Sequence, residues 1–110
     1  MDSIFKSSMV ALKPGGIFGV VEHRANPGTN LKAMKSSGYV TEAHAIEVAL
    51  NNGFELVAKS EINANPKDTK DHPKGVWTLP PRLRLDDVDK EKYESIGESD
   101  RMTLLFRKPL

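Results

Sequence analysis

The stretch Leu12-Lys13-Pro14-Gly15-Gly16-Ile17-Phe18-Gly19-Val20-Val21-Glu22 decides how this chain is read. Proline lacks an amide donor, and glycine admits the left-handed backbone that closes a helix, so Pro14-Gly15-Gly16 separates two elements. Behind the turn, Asp2 to Lys13 predicts a helix. Asp2 suits the N-cap, Phe5, Met9 and Leu12 fall on one face, and Lys13 complements the negative end of the helix dipole. Ahead of it, Ile17 to Glu22 is a short, nearly continuous apolar run, which predicts a strand covered on both faces.

Working outward, Asn26-Pro27-Gly28 marks a turn, and a short helical piece is expected around Leu31 and Met34. Thr41 is placed to cap a further helix with Ala43, Ile46, Ala49 and Leu50 facing inward, closed by Asn51-Asn52-Gly53. Phe54 to Ile62 predicts a strand, with Phe54, Leu56, Ala58 and Ile62 on one side and Glu55, Lys59 and Glu61 on the other. Residues 63–81 show no useful periodicity and carry four prolines, although Val76-Trp77-Thr78-Leu79 favours docking over disorder. Asp86 to Ser95 predicts a short helix that ends near Gly97. Met102 to Arg107 predicts the last strand, with Met102, Leu104 and Phe106 on one face. The order is helix, strand, helix, strand, long insertion (63–100), strand, within one α/β domain over residues 1–110.

Composition bounds the function. The chain has 110 residues, of which 38% are hydrophobic and 28% charged, as in a soluble globular domain. A net charge of +1 builds in no long-range attraction to nucleic acid or anionic lipid. The chain has no cysteine, which excludes disulfides, thiolate catalysis and cysteine zinc sites and accords with a reducing cytoplasm. No apolar run reaches the roughly 18–20 residues that span a bilayer.

The Pro-Gly-Gly turn before an apolar strand, together with Glu22-His23-Arg24-Ala25, Asn65-Pro66-Lys67-Asp68 and Ser99-Asp100-Arg101 leading to Phe106-Arg107-Lys108-Pro109, resembles the C-terminal part of class I S-adenosylmethionine-dependent methyltransferases. The resemblance is to a group of predicted bacterial enzymes of unassigned substrate. It implies the C-terminal half of a Rossmann-like methyltransferase sheet: Ile17–Glu22 as the fifth strand, Gly53–Val57 opening the sixth, and Met102–Arg107 as the antiparallel seventh. The family reaction is methyl transfer from S-adenosylmethionine to a small acceptor. The glycine-rich loop that grips the cofactor after the first strand is not found, nor is the ribose-binding acid after the second. The chain alone is therefore expected to hold no cofactor and to be inactive. A bared sheet edge is expected to be covered by self-association or by the N-terminal, cofactor-binding half.

His23 and Arg24 follow the C-terminal end of an apolar strand, the edge where open α/β sheets place ligands. His23 suits a general base and Arg24 an anion clamp; the plain alternative is a polar strand end holding a loop. Asn65, Asp68, Trp77 and Arg101 are the candidate substrate-binding residues, with Trp77 as the apolar anchor of a lid. Asn63, Asn65, Asp68, Asp71 and His72 are chiefly expected to be a solvated loop, since no regular spacing organises them for a metal. Asp100 and Arg101 are expected to pair and brace the insertion. Two rival readings remain. A winged helix with a basic tip at Lys67, Lys70, Lys74, Arg82 and Arg84 would bind nucleic acid, but Glu42 and Glu47 on its recognition helix would repel phosphate. A non-catalytic protein could bind a partner through its sheet edge.

Overall fold

The computed structural model describes residues 1–110. Its elements are α1 (Asp2–Ala11), β1 (Ile17–His23), α2 (Leu31–Ser37), α3 (Glu42–Asn51), β2 (Glu55–Ser60), a 3₁₀ turn (Gly75–Thr78), α4 (Lys90–Ile96) and β3 (Arg101–Arg107). The fold is mixed α/β, with a small open sheet in the order β1-β3-β2. Both outer strands run antiparallel to β3 and therefore parallel to each other. No helix is long and apolar enough to cross a membrane.

The core follows from the period-2 pattern of β3. Met102, Leu104 and Phe106 are buried on one face. There they meet Phe5 of α1, Ala45 and Ala49 of α3, and Phe54 just before β2. The Phe5 ring stands edge-on to Phe18, Phe54 and Phe106 at centroid separations of 5.6–5.9 Å, the geometry that the ring quadrupole favours. Small residues on α3 let the helix lie close to the sheet, so Ala45 and Ala49 face inward. Ala43 and Leu50, expected inward, are exposed. Met1, not Asp2, occupies the N-cap position of α1; Asp2 instead accepts from Asn52 Nδ2 at 2.8 Å and ties α1 to the end of α3.

The expectation that β1 is covered on both faces is not met. Phe18 and Val20 share the core face with their partners Phe106 and Leu104, whereas Ile17 and Val21 on the opposite face stay 63% and 53% exposed. One edge is open as well. Arg24 N donates to Asp100 O and Lys108 N donates to Gly16 O, so the even-numbered residues of β1 bond to β3. Alternation then turns the amides and carbonyls of Ile17, Gly19 and Val21 outward. Only the far end of this edge is closed, where Val40 N donates to His23 O and Ala25 N donates to Val40 O. On the other side, β2 is exposed along its length and is broken by a register shift between Leu56 and Ala58.

The insertion is ordered by a second, smaller cluster of Ala25, Tyr39 and Val76. Gly38 and Gly75 both have positive φ and lie where their backbones meet neighbours. A Cβ on Gly75 would strike the Ser37 carbonyl, and one on Gly38 would meet Val76 and the Trp77 ring. Asp68, Thr78 and Leu79 are buried, so the insertion folds back on the molecule and does not project as a wing. Its helix begins at Lys90, later than the expected Asp86. The two packed regions give a long axis of 51 Å and a radius of gyration of 15.5 Å, above the ~13 Å typical of a spherical domain of this length.

Phe106 touches both Phe5 and Phe54. Its replacement by alanine is expected to cost about 3–5 kcal/mol, a large part of a domain's ~5–15 kcal/mol. Urea denaturation followed by far-ultraviolet circular dichroism measures this.

Candidate functional site

The C-terminal end of β1 lies beside the start of β3, and the insertion is fastened at this junction. Asp100 is the common member. Its carboxylate accepts from Arg24 Nε at 2.9 Å and Arg24 Nη2 at 3.0 Å. It also accepts from the Asn65 amide at 2.8 Å and pairs with Lys70 Nζ at 2.8 Å. Burial raises the carboxyl's proton affinity, but the bonds from Arg24, Lys70 and Asn65 outweigh it and hold the pKa well below the ordinary value of 3.8. Arg24 Nη1 reaches Glu61 at 2.7 Å and Glu42 at 3.7 Å. Hydrogen bonding to Asp100 strengthens Arg24's hold on its proton.

Asp68 lies directly behind. It accepts from Tyr39 Oη (2.8 Å), from the Asp100 amide (2.9 Å) and from the Lys70 amide (2.9 Å), and its Oδ1 stands 2.8 Å from His72 Nε2. Burial first, and then the bond to Asp68, push the Tyr39 hydroxyl far above its ordinary pKa, so it remains a donor. Asn65 Nδ2 donates to the Ile96 and Glu98 carbonyls at 2.7 Å each, securing the turn after α4.

This corrects the picture of a solvated polar loop in part: Asp68 is buried and the His72 side chain is buried against it, whereas Asp71 stays exposed. No group of three or more His, Cys, Asp or Glu side chains is placed to hold a metal. Asp100 and Arg101 do not pair with each other, since neighbouring strand residues point to opposite faces. Asp100 takes Arg24 and Lys70, whereas Arg101 Nη2 stands 3.4 Å from Glu98. Arg24 already serves Asp100 and Glu61 and presents little free guanidinium to a ligand.

His23 is placed differently. It is the direct cross-strand partner of Arg101 on the face away from the core. Its Nδ1 is hydrogen-bonded to the buried Ser99 hydroxyl, its ring stands edge-on to Tyr39 at 6.4 Å, and Nε2 has no protein partner. In the tautomer whose Nδ1–H donates to Ser99 Oγ, the free lone pair lies on Nε2. A cleft of about 250 Å³ opens here, lined by His23, Trp77, Arg82, Glu98, Ser99 and Arg101. The buried Nε of Arg101 has no hydrogen-bond partner. A larger cleft of about 960 Å³ lies across Arg24, between α2 and α3. Its two cations, Arg24 and Lys70, are both committed to Asp100, and His44, Glu42 and Glu47 also line it. The structure thus brings His23, Trp77 and Arg101 together, while Asn65 and Asp68 buttress the loop behind them.

Tyr39 carries no role in the sequence reading, Glu61 enters it only as a strand-face residue, and Lys70 and Arg82 enter it only as part of a basic loop tip. Tyr39 meets Asp68 across 29 residues and Arg24 meets Glu61 across 37; no local pattern announces such pairs.

Searches of known protein families, curated proteins and solved structures find no match for this chain.

Adenosylmethionine is the cofactor that the sequence resemblance implies, and the Gly15-Gly16 turn does not fit it. The Gly15-Gly16 pair lies at the opposite end of β1 from His23 and folds on its own backbone. Gly15 N donates to Lys108 O at 2.8 Å, and a Cβ on Gly16 would come within 2.9 Å of the Lys13 carbonyl. A cofactor cradle needs the reverse order, strand then glycine loop then helix N-terminus.

Asp100→Ala would leave Arg24 and Lys70 without their shared counterion and is expected to cost about 3–5 kcal/mol. Because the folded pKa of Asp100 is depressed, its stabilising contribution is present above the unfolded value and is lost as pH falls through the folded one. Urea midpoints compared at about pH 7 and about pH 3 should therefore fall less for Asp100→Asn than for the wild type.

Proposed function

We propose that this chain is the three-stranded end of a methyltransferase-type sheet, acting on the acceptor side of a methyl transfer. The observation that carries the reading is the strand arrangement. Two mutually parallel strands flank an antiparallel one, and the histidine-bearing end of β1 opens on a cleft. This is the order in which the family's fifth, seventh and sixth strands lie. The bare edge at Ile17, Gly19 and Val21 and the exposed apolar face of β1 suit a sheet that continues past this strand. The unit that continues it would hold adenosylmethionine, since the Gly15-Gly16 turn precedes its strand and offers no glycine loop leading into a helix, and a second copy of the chain is the other occupant of that edge.

In this reading His23 Nε2 accepts the proton released by a small acceptor held in the cleft. Ser99 fixes the ring, and the Asp100–Arg24 pair fixes the strand ends that carry it. His23 can therefore act as a general base, while Arg24 works through position.

Isothermal titration of the purified chain with S-adenosylmethionine is expected to give no saturable heat at micromolar concentrations. Light scattering should give a mass above the monomer at high concentration, and Val21→Lys, which charges the open edge, should restore the monomer. Micromolar cofactor binding by the chain alone would overturn the division of labour. A monomer with an intact sheet at high concentration would remove self-association as the cover of the edge.

A further inference from the structure

Trp77 is the only tryptophan of the chain and remains 37% exposed, although its segment is otherwise well buried. Its position is fixed from both sides. The ring lies where a Cβ on Gly38 would collide with it, and its carbonyl accepts from the Arg84 amide at 2.9 Å. An indole held this firmly with an open surface is a preorganised stacking platform.

The charges around it are mostly positive. Trp77 borders the His23 cleft, which also contains Arg82 and Arg101, and a neighbouring cleft of about 420 Å³ that contains Lys74 and Arg84. Lys74, Arg82 and Arg84 enter no salt bridge. Arg101 has only the 3.4 Å contact to Glu98, a largely exposed side chain and the one carboxylate lining either cleft. Elsewhere in this protein arginines are closely paired, as Arg24 and Arg107 are. Uncommitted cations therefore gather around one exposed aromatic face.

We propose that the His23 cleft binds a small planar anion, an aromatic carboxylic acid, with its ring on Trp77 and its carboxylate on Arg101 and Arg82. The cleft of about 250 Å³ holds one ring system of this kind. The guanidinium fork suits a carboxylate, and the partly exposed Arg101 side chain holds only the 3.4 Å contact of its Nη2 with Glu98. A ring hydroxyl would then lie toward His23 Nε2. That last step, which makes the anion the methyl acceptor, rests on the proposed function; the binding does not. A single-stranded nucleic acid fits less well. Such a ligand is normally followed by successive aromatic side chains, and here one indole stands alone.

The indole N–H of Trp77 gives a single resonance in an amide correlation spectrum, so binding can be read at the site itself. The chain would be titrated with 4-hydroxybenzoate, phenol, acetate and a short oligothymidylate. The expected result is a saturable shift of the Trp77 indole and the His23 ring with 4-hydroxybenzoate, with phenol and acetate at least tenfold weaker. Arg82→Gln, an exposed change that leaves the fold intact, should weaken 4-hydroxybenzoate several-fold, and Arg101→Gln at least tenfold. Absence of any shift, equal binding of phenol, or no effect of either substitution would overturn the proposal. Tighter binding of the oligonucleotide would overturn it in favour of a strand-binding surface. Saturable binding of 4-hydroxybenzoate without methyl transfer, even with a cofactor-holding partner added, would sustain the site and refute the acceptor role.

Discussion

The carboxylate of Asp100 is the constraint on which the other arrangements rest. It stands where β1, β3 and the insertion converge, and it holds each of them: Arg24 after β1, its own amide on Asp68, and Lys70 and Asn65 from the loop. A buried carboxylate is tolerated only when its charge and lone pairs are met. The sheet can therefore adopt this geometry only with the insertion folded down onto it. Asp68 repeats the logic one layer deeper, with Tyr39, Lys70 and His72 as its partners. Two acids thus stand in for the apolar core that the insertion lacks, since its own hydrophobic cluster is small. Networks of this kind specify one arrangement because any partial version leaves a charge unpaired.

The elements that pack by local period were legible from the sequence. Met102, Leu104 and Phe106 alternate cleanly and are buried together. Gly97 closes α4, and Thr41 caps α3 by accepting from the His44 amide. What escaped was tertiary in origin. Ile17–Glu22 reads as a strand covered twice, because apolar content says what a strand can bury and nothing about what is present to cover it. The inward face of α3 is legible in Ala49 and Ile46, which pack on the core, but the sheet also selects small Ala45 where the helix must approach closely and leaves Ala43 and Leu50 outside.

The candidate site was partly legible for the same reason. His23 and Arg24 stand out because they end an apolar run, yet adjacency in sequence gives them opposite surroundings. Strand alternation sends His23 to the face shared with Arg101, while Arg24 turns into the carboxylates. The polar run in the insertion looked solvated because its partners lie elsewhere: Asp68 with Tyr39, Asn65 with the turn after α4. Trp77 did give a signal, since an indole among prolines and lysines has to dock on something.

One register decision joins stability to chemistry. Along β3 the same period of two that buries Met102, Leu104 and Phe106 sets Arg101 on the other face, beside His23 across the ladder. A slip of one residue would send Arg101 and Thr103 into the core and Met102 toward the cleft, so the phenylalanine cluster and the cleft would be lost together. The buried Asp100, one residue before the strand, stops such a slip, because its bidentate contact with Arg24 fixes the pairing of Arg24 with Asp100 at the end of the ladder. The charged junction thus sets the register, and the register sets both which residues are buried and which face the ligand.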